Sequence, residues 1–128
     1  MSRQFLVDTH AVLWWLDDDR RLPAAARSLI ADPANVIAVS AASLWEIAIK
    51  SSLNKLDAPS NLPQLISREG FAALAVEHEH AWACSELPLR SHKDPFDRML
   101  AAQALREGFD VVSADASFEE YGIRRHWS

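Results

Sequence analysis

With a single cysteine in 128 residues, the chain cannot form an internal disulfide. Cys84 has no His or Asp partner in a recognisable motif and reads as an inert thiol in an amphipathic helix. Long hydrophobic runs are missing too: Asp, Glu or Lys interrupts every apolar stretch well short of the ~20 residues a bilayer span requires. The opening "MSRQFLVDTH" has no secretory h-region, so a cytoplasmic protein without a membrane role is expected. Positive charge is in deficit, with 13 Lys and Arg against 18 Asp and Glu and a net charge of −5. That balance argues against holding nucleic acid by general phosphate neutralisation. Acids gathered at one site to hold divalent cations would give the same deficit, so the count alone does not describe the rest of the surface. No repeat, low-complexity tract or linker interrupts the chain. Residues 1–128 are expected to form one domain, burying roughly two-thirds of its unfolded surface.

What is present is an alternation of short apolar strands and helices. "RQFLVD" is a strand that stops at Asp8, and "THAVLWWL" starts a helix at once. A charged loop precedes a second helix in "RLPAAARSLIAD", with Leu22, Ala25, Ala26, Leu29 and Ile30 at helical spacing. "NVIAVS" is a β-branched strand feeding "AASLWEIAIKSSLNKL", a helix expected to run to about Leu56. After a turn and a short helix come the strand "FAALAV", the helix "EHEHAWACSEL" and the segment "HKDPFDRMLAAQALREG". In that segment Asp94 and Pro95 suit a helix entry and Gly108 a helix end. "FDVVSAD" is a fourth strand, and "YGIRRHW" can add a fifth. This order predicts an α/β fold with a parallel sheet of four to five short strands covered by helices on both faces.

In such a sheet, ligands bind beyond the carboxyl ends of the strands. Four acids fall there. Asp8 ends the first strand, and Asp115 follows the fourth. Glu46 lies two turns into the helix after the second strand, and Asp97 one turn into the helix before the fourth. Each also has a purely structural explanation. Asp8 caps the helix at Thr9, Asp115 closes an Asx-turn, and Asp97 faces a helix dipole. Glu46 pairs with Lys50 at i,i+4, or forms a capping box with Ser43. Taken together, four acids at one edge repel unless cations lie between them. Carboxylate-held divalent ions about 3.5–4 Å apart are a device for phosphodiester hydrolysis. Oxygen ligands alone suit Mg²⁺ or Mn²⁺, not zinc.

The blocks "LVDTHAVLWWL", "VSAASLWEIAIKSSLNKL", "LPLRSHKDPFDRMLAAQAL" and "DVVSADASF", in this order, resemble the PIN-domain ribonucleases, and within them the VapC-type toxins of bacterial toxin–antitoxin pairs. The resemblance covers essentially the whole chain and implies a PIN-like three-layer sandwich. It places the family's acidic quartet at Asp8, Glu46, Asp97 and Asp115, as catalytic residues and metal ligands. Ser113 matches the small hydroxyl residue that supports the last acid, Thr9 follows the first acid, and Asp94 belongs to the "HKDPFD" variant. The implied activity is Mg²⁺- or Mn²⁺-dependent endoribonuclease cleavage, leaving a 5′-phosphate and a 3′-hydroxyl and stopping translation. The implied partners are a small antitoxin protein and a second copy of the chain.

Other features are read against this. The histidines of "HEH" at 78–80, at i,i+2, do not share a helix face and read as surface or helix-start residues. Trp14 and Trp15, about 100° apart in projection, divide between core and flank, the outer ring suiting a dimer or antitoxin interface. Lys50, Lys93 and Arg98 are either solvated surface charge or RNA contacts. A second class of function is a metal- or RNA-binding module that never cuts and acts by occupying a partner. Metal-dependent cleavage separates the two.

Overall fold

The computed structural model describes residues 3–88 and 94–128. In chain order its elements are β1 (Gln4–Val7), α1 (Thr9–Leu16), α2 (Ala24–Ala31), β2 (Val36–Ser40), α3 (Ala41–Ser52), α4 (Leu62–Arg68) and β3 (Ala72–Leu74). There follow α5 (His78–Ala83), a 3-10 turn (Cys84–Glu86), α6 (Pro95–Glu107), β4 (Asp110–Val112), a 3-10 helix (Ala116–Tyr121) and β5 (Arg125–His126). The strands form one sheet in the order β3-β2-β1-β4-β5, and every pairing is parallel. This is the α/β sandwich expected from the alternation of strands and helices, with the short fifth strand present.

β1 is central, pairing Phe5 with Ile37 on one side and with Asp110 on the other. Both of its faces are covered, which is why "FLV" is apolar throughout and does not alternate. Phe5 and Val7 point into a core shared with Val12, Leu22, Ile30, Ile47 and Ile66, so α1, α2 and α4 lie on that side. Leu6 points to the opposite core with Leu100, Ala101, Ala104 and Phe118, where α5, α6 and the 3-10 helix pack. Ala101 and Ala104 are wholly buried, and their lack of bulk lets α6 lie close to the sheet. Among the described residues no helix is long and apolar enough to cross a membrane.

Two helices end earlier than the apolar pattern suggests. α3 stops at Ser52 because Asn54 takes a left-handed conformation (φ 57°), which asparagine tolerates and which turns the chain away. α5 has only six residues, and the turn after it is pinned from α6. The Arg98 guanidinium donates to the carbonyls of Cys84 (3.0 Å), Leu87 (3.3 Å) and Pro88 (3.0 Å). Cys84 therefore lies in a 3-10 turn and not in a helix; burial pushes its thiol pKa up, in keeping with an inert group.

Candidate functional site

The carboxyl edge of the sheet delivers its acids through helix entries. Asp8, the residue after β1, is the N-cap of α1, its Oδ1 accepting from the Ala11 N–H at 2.9 Å. Its Oδ2 accepts from Ser113 Oγ at 2.5 Å. Asp8 is buried, and burial pushes its carboxyl above the usual carboxylate range, outweighing the hydrogen bonds from Ser113 and Ala11 that favour the charged form. Ser113 also accepts the Asp115 N–H at 2.9 Å, so one hydroxyl, just beyond β4, connects the first and last acids. Asp115 in turn caps the 3-10 helix, accepting from Ser117 N–H at 2.9 Å.

Glu46 is 5% exposed, on the buried side of α3. Its Oε1 accepts from Thr9 Oγ1 at 2.6 Å and its Oε2 from Lys50 Nζ at 2.6 Å, so the i,i+4 pair forms. That contact raises the lysine pKa. The cap of α3 is Ser40, a turn before Ser43, so the Ser43 capping box does not form. Asp94 caps α6 through Oδ1, accepting from Phe96 N–H (2.9 Å) and Asp97 N–H (3.1 Å). Asp97 lies in the first turn of that helix.

A cavity of about 160 Å³ is lined by Asp8, Glu46, Asp97 and Asp115 together with Thr9, His10, Lys50 and Asp94. The four acids come from four separate parts of the chain and face one space. Ser113 stands behind Asp8 and Asp115. Arg98 is turned to the carbonyls of the 84–88 turn and lies within 3.4 Å of Tyr121 Oη. Lys93 lies outside the described residues. His10, to which the sequence reading gave no role, is part of the cavity wall. Its signal was position alone: it stands two residues after the first acid.

The donor atoms are carboxylate and hydroxyl oxygens, the set preferred by hard cations of the Mg²⁺ type. Among the described residues no three His, Cys, Asp or Glu form a ready cage for an ion. Both oxygens of Asp8 and both of Glu46 are satisfied internally, with the Lys50 ammonium as counter-charge at Glu46. The donor chemistry fits a divalent cation once the lysine yields its place.

The model of the family described as "PIN domain" matches residues 5–123. The chain belongs to the PIN-domain family. It is 30% identical over 114 residues to the protein named Ribonuclease VapC22 of Mycobacterium tuberculosis, covering 86% of this chain and 85% of that one. Its fold is similar to VapBC2 from Rickettsia felis, solved bound to a promoter DNA fragment, with TM-score 0.71 and 17% identity over 98% of this chain and 99% of that one. DNA-bound VapBC from Salmonella typhimurium superposes with TM-score 0.67 and 18% identity, covering 97% of each chain.

A second polar cluster was not anticipated. Both "HEH" histidines stand in the first turn of α5, as a helix start requires, and His78 is exposed, but His80 is 1% exposed and so is not a surface residue. Its Nδ1 accepts the Glu77 N–H at 3.0 Å, so Nε2 carries the proton that is shared with Glu107 Oε1 at 2.7 Å. Gln103, fully buried, accepts from Ser40 Oγ at 2.6 Å and donates to Ala75 O at 3.1 Å. The only sequence signal was a polar residue amid the buried alanines of α6.

Proposed function

We propose that this PIN-domain protein is a divalent-metal-dependent endoribonuclease toxin of the VapC type, held in check by a VapB-type antitoxin. The observation that carries this reading is the shared cavity of Asp8, Glu46, Asp97 and Asp115, backed by the ribonuclease name of its 30%-identical relative. Asp8, Asp97, Asp115 and Glu46 would hold the cation, Mg²⁺ or Mn²⁺. When bound, the cation neutralises the scissile phosphate and lowers the pKa of attacking water. Thr9 fixes one oxygen of Glu46, and Ser113 fixes Asp8 while receiving the Asp115 backbone N–H. Asp94 orders the first turn of α6, which carries Asp97. Lys50 balances Glu46 in the resting protein and, among the described residues, supplies the ammonium in the wall of the acid cavity.

The antitoxin and a second copy are the expected protein partners. An apolar cleft of about 640 Å³ lies between α3, α5 and α6, lined by Trp45, Cys84, Phe96 and Met99 among others. Trp45 is 64% exposed, whereas Trp14 and Trp15 are half-buried against the core, so the cleft and not α1 offers the larger apolar surface.

Incubation of the purified chain with single-stranded RNA and Mn²⁺ tests the reading. Cleavage into 5′-phosphorylated products is expected, with none in EDTA and none from a folded Asp97→Asn variant. RNA that is bound but never cut would transfer the function to partner occupancy. That alternative draws its support from the internal hydrogen bonds at Asp8 and Glu46.

A further inference from the structure

An acidic protein that closes acids around a phosphodiester gains little affinity from the substrate backbone. Of the cations placed near the cavity by sequence, the two that lie among the described residues are engaged: Lys50 is held by Glu46 and Arg98 is committed to carbonyl groups. Single-stranded RNA can instead be gripped by its bases, which stack on aromatic rings and on guanidinium planes.

Such a surface begins in the wall of the acid cavity. His10 and Trp14 are i,i+4 neighbours on α1, their ring centroids 5.6 Å apart and tilted by 35°. His10 is exposed, while Trp14 is half-buried against the core and thereby fixed. Trp14 also meets Trp127 at 5.9 Å and carries the Arg21 guanidinium 4.8 Å from its ring centroid. Asp19 clamps that guanidinium through Nε at 3.1 Å and through a terminal nitrogen at 2.7 Å. The clamp fixes the plane and neutralises the charge, while the Arg21 side chain stays 68% exposed. A neutralised, immobilised guanidinium is a poor phosphate anchor and a good stacking surface. Core packing accounts for Trp14 and Trp127. It does not account for an exposed imidazole laid over Trp14 at the rim of the acid cavity.

We propose that His10 and Arg21, both backed by Trp14, form a nucleobase-stacking track for single-stranded RNA that starts at the acid cavity. The inference rests on the ribonuclease reading and deepens it: bases flanking the scissile phosphate supply the affinity that the acids cannot.

The test uses the full chain carrying Asp97→Asn, in Mg²⁺, with a labelled oligoadenylate and an abasic oligonucleotide of the same length, read by fluorescence anisotropy. Adding His10→Ala is expected to weaken oligoadenylate binding about tenfold. His10→Phe should restore most of it, and neither should change binding of the abasic strand. Arg21→Ala should weaken oligoadenylate by a smaller factor. Unchanged oligoadenylate binding in His10→Ala, equal loss on the abasic strand, or no oligoadenylate binding by the parent would each overturn the track. Cleavage of RNA by the wild-type chain in Mn²⁺ is read separately. If it cleaves while the stacking results fail, only the track is lost; if it does not, the ribonuclease reading falls and the track with it.

Discussion

Two buried polar clusters sit at the carboxyl edge of one sheet, and the fold satisfies them differently. Around Gln103 every group is neutral or reaches the surface: Ser40, Gln103 and the Ala75 carbonyl satisfy one another, and His80 passes its proton toward the half-exposed Glu107. Around Asp8 and Glu46 the groups are acids, supplied with hydroxyl and amide donors and, among the described residues, with the Lys50 ammonium as counter-charge. The first cluster is complete as it stands and ties α6 to the start of α3 and the end of β3. In the second, Asp8 and Glu46 are satisfied in hydrogen bonds, and among the described residues the acids lining the cavity outnumber its ammonium groups. The proposed divalent cation would supply balancing charge to the second cluster and has no counterpart in the first.

The largest expected difference between the clusters is catalytic. Asp97→Asn should lower Mn²⁺-dependent RNA cleavage by more than about a hundredfold, measured as initial rate across a Mn²⁺ titration, with the metal-free melting temperature unchanged or raised. Gln103→Leu should do the reverse. It strands the Ser40 hydroxyl and the Ala75 carbonyl, costing about 1–3 kcal/mol in urea unfolding, while the folded protein keeps its cleavage rate. If Gln103→Leu abolished cleavage at full stability, the two clusters would be one functional unit and the contrast would be wrong.

Asp8 sharpens the contrast through pH. Its pKa in the folded chain is raised from 3.8, so between that value and its folded pKa the native state binds more protons than the unfolded one. Stability in EDTA should therefore fall as pH rises above about 4. Asp8→Asn should flatten that fall, giving a melting temperature in EDTA above wild type at pH 7 and level with it near pH 4. At Asp94, loss of the cap in Asp94→Ala should cost about 1 kcal/mol, and Asp94→Asn almost nothing. Asp94→Asn should also retain most cleavage activity; equal loss with Asp97→Asn would make Asp94 part of the ion site. The smallest effect belongs to Asp19, whose carboxyl is held at about 2 by Arg21. It contributes stability above the unfolded value, lost as pH falls from about 4 toward 2. Because its Arg21 partner is exposed and the pair is screened by solvent, it should leave only a slight difference between wild type and Asp19→Asn in acid titrations of melting temperature.

The strands were readable because each is a short apolar run bounded by turn or cap residues, and a parallel sheet demands that pattern. The acids could be singled out because Asp8 and Asp115 follow strands and Asp97 follows a Pro-initiated helix start. What could not be read is pairing at a distance. Thr9 with Glu46, Ser113 with Asp8 and Ser40 with Gln103 are separated by 37, 105 and 63 positions. No local periodicity records such contacts. Gln103 and His80 were hidden for a related reason: isolated polar residues within a helix look like surface until a partner from another element is known. Arg98 beside Asp97 resembled a phosphate contact, but the carbonyls it binds belong to a turn ten or more residues earlier.

The position of β1 at the centre of the sheet has a consequence for synthesis. A ribosome translating this chain releases β1 first, yet one neighbour of β1, β4, and the hydroxyl of Ser113 that steadies Asp8 come more than a hundred residues later. Until that segment emerges, the four acids have no common cavity. Assembly of the acid cavity is therefore coupled to the β1–β4 pairing, and no nascent segment that stops short of Asp115 can bring the four acids together.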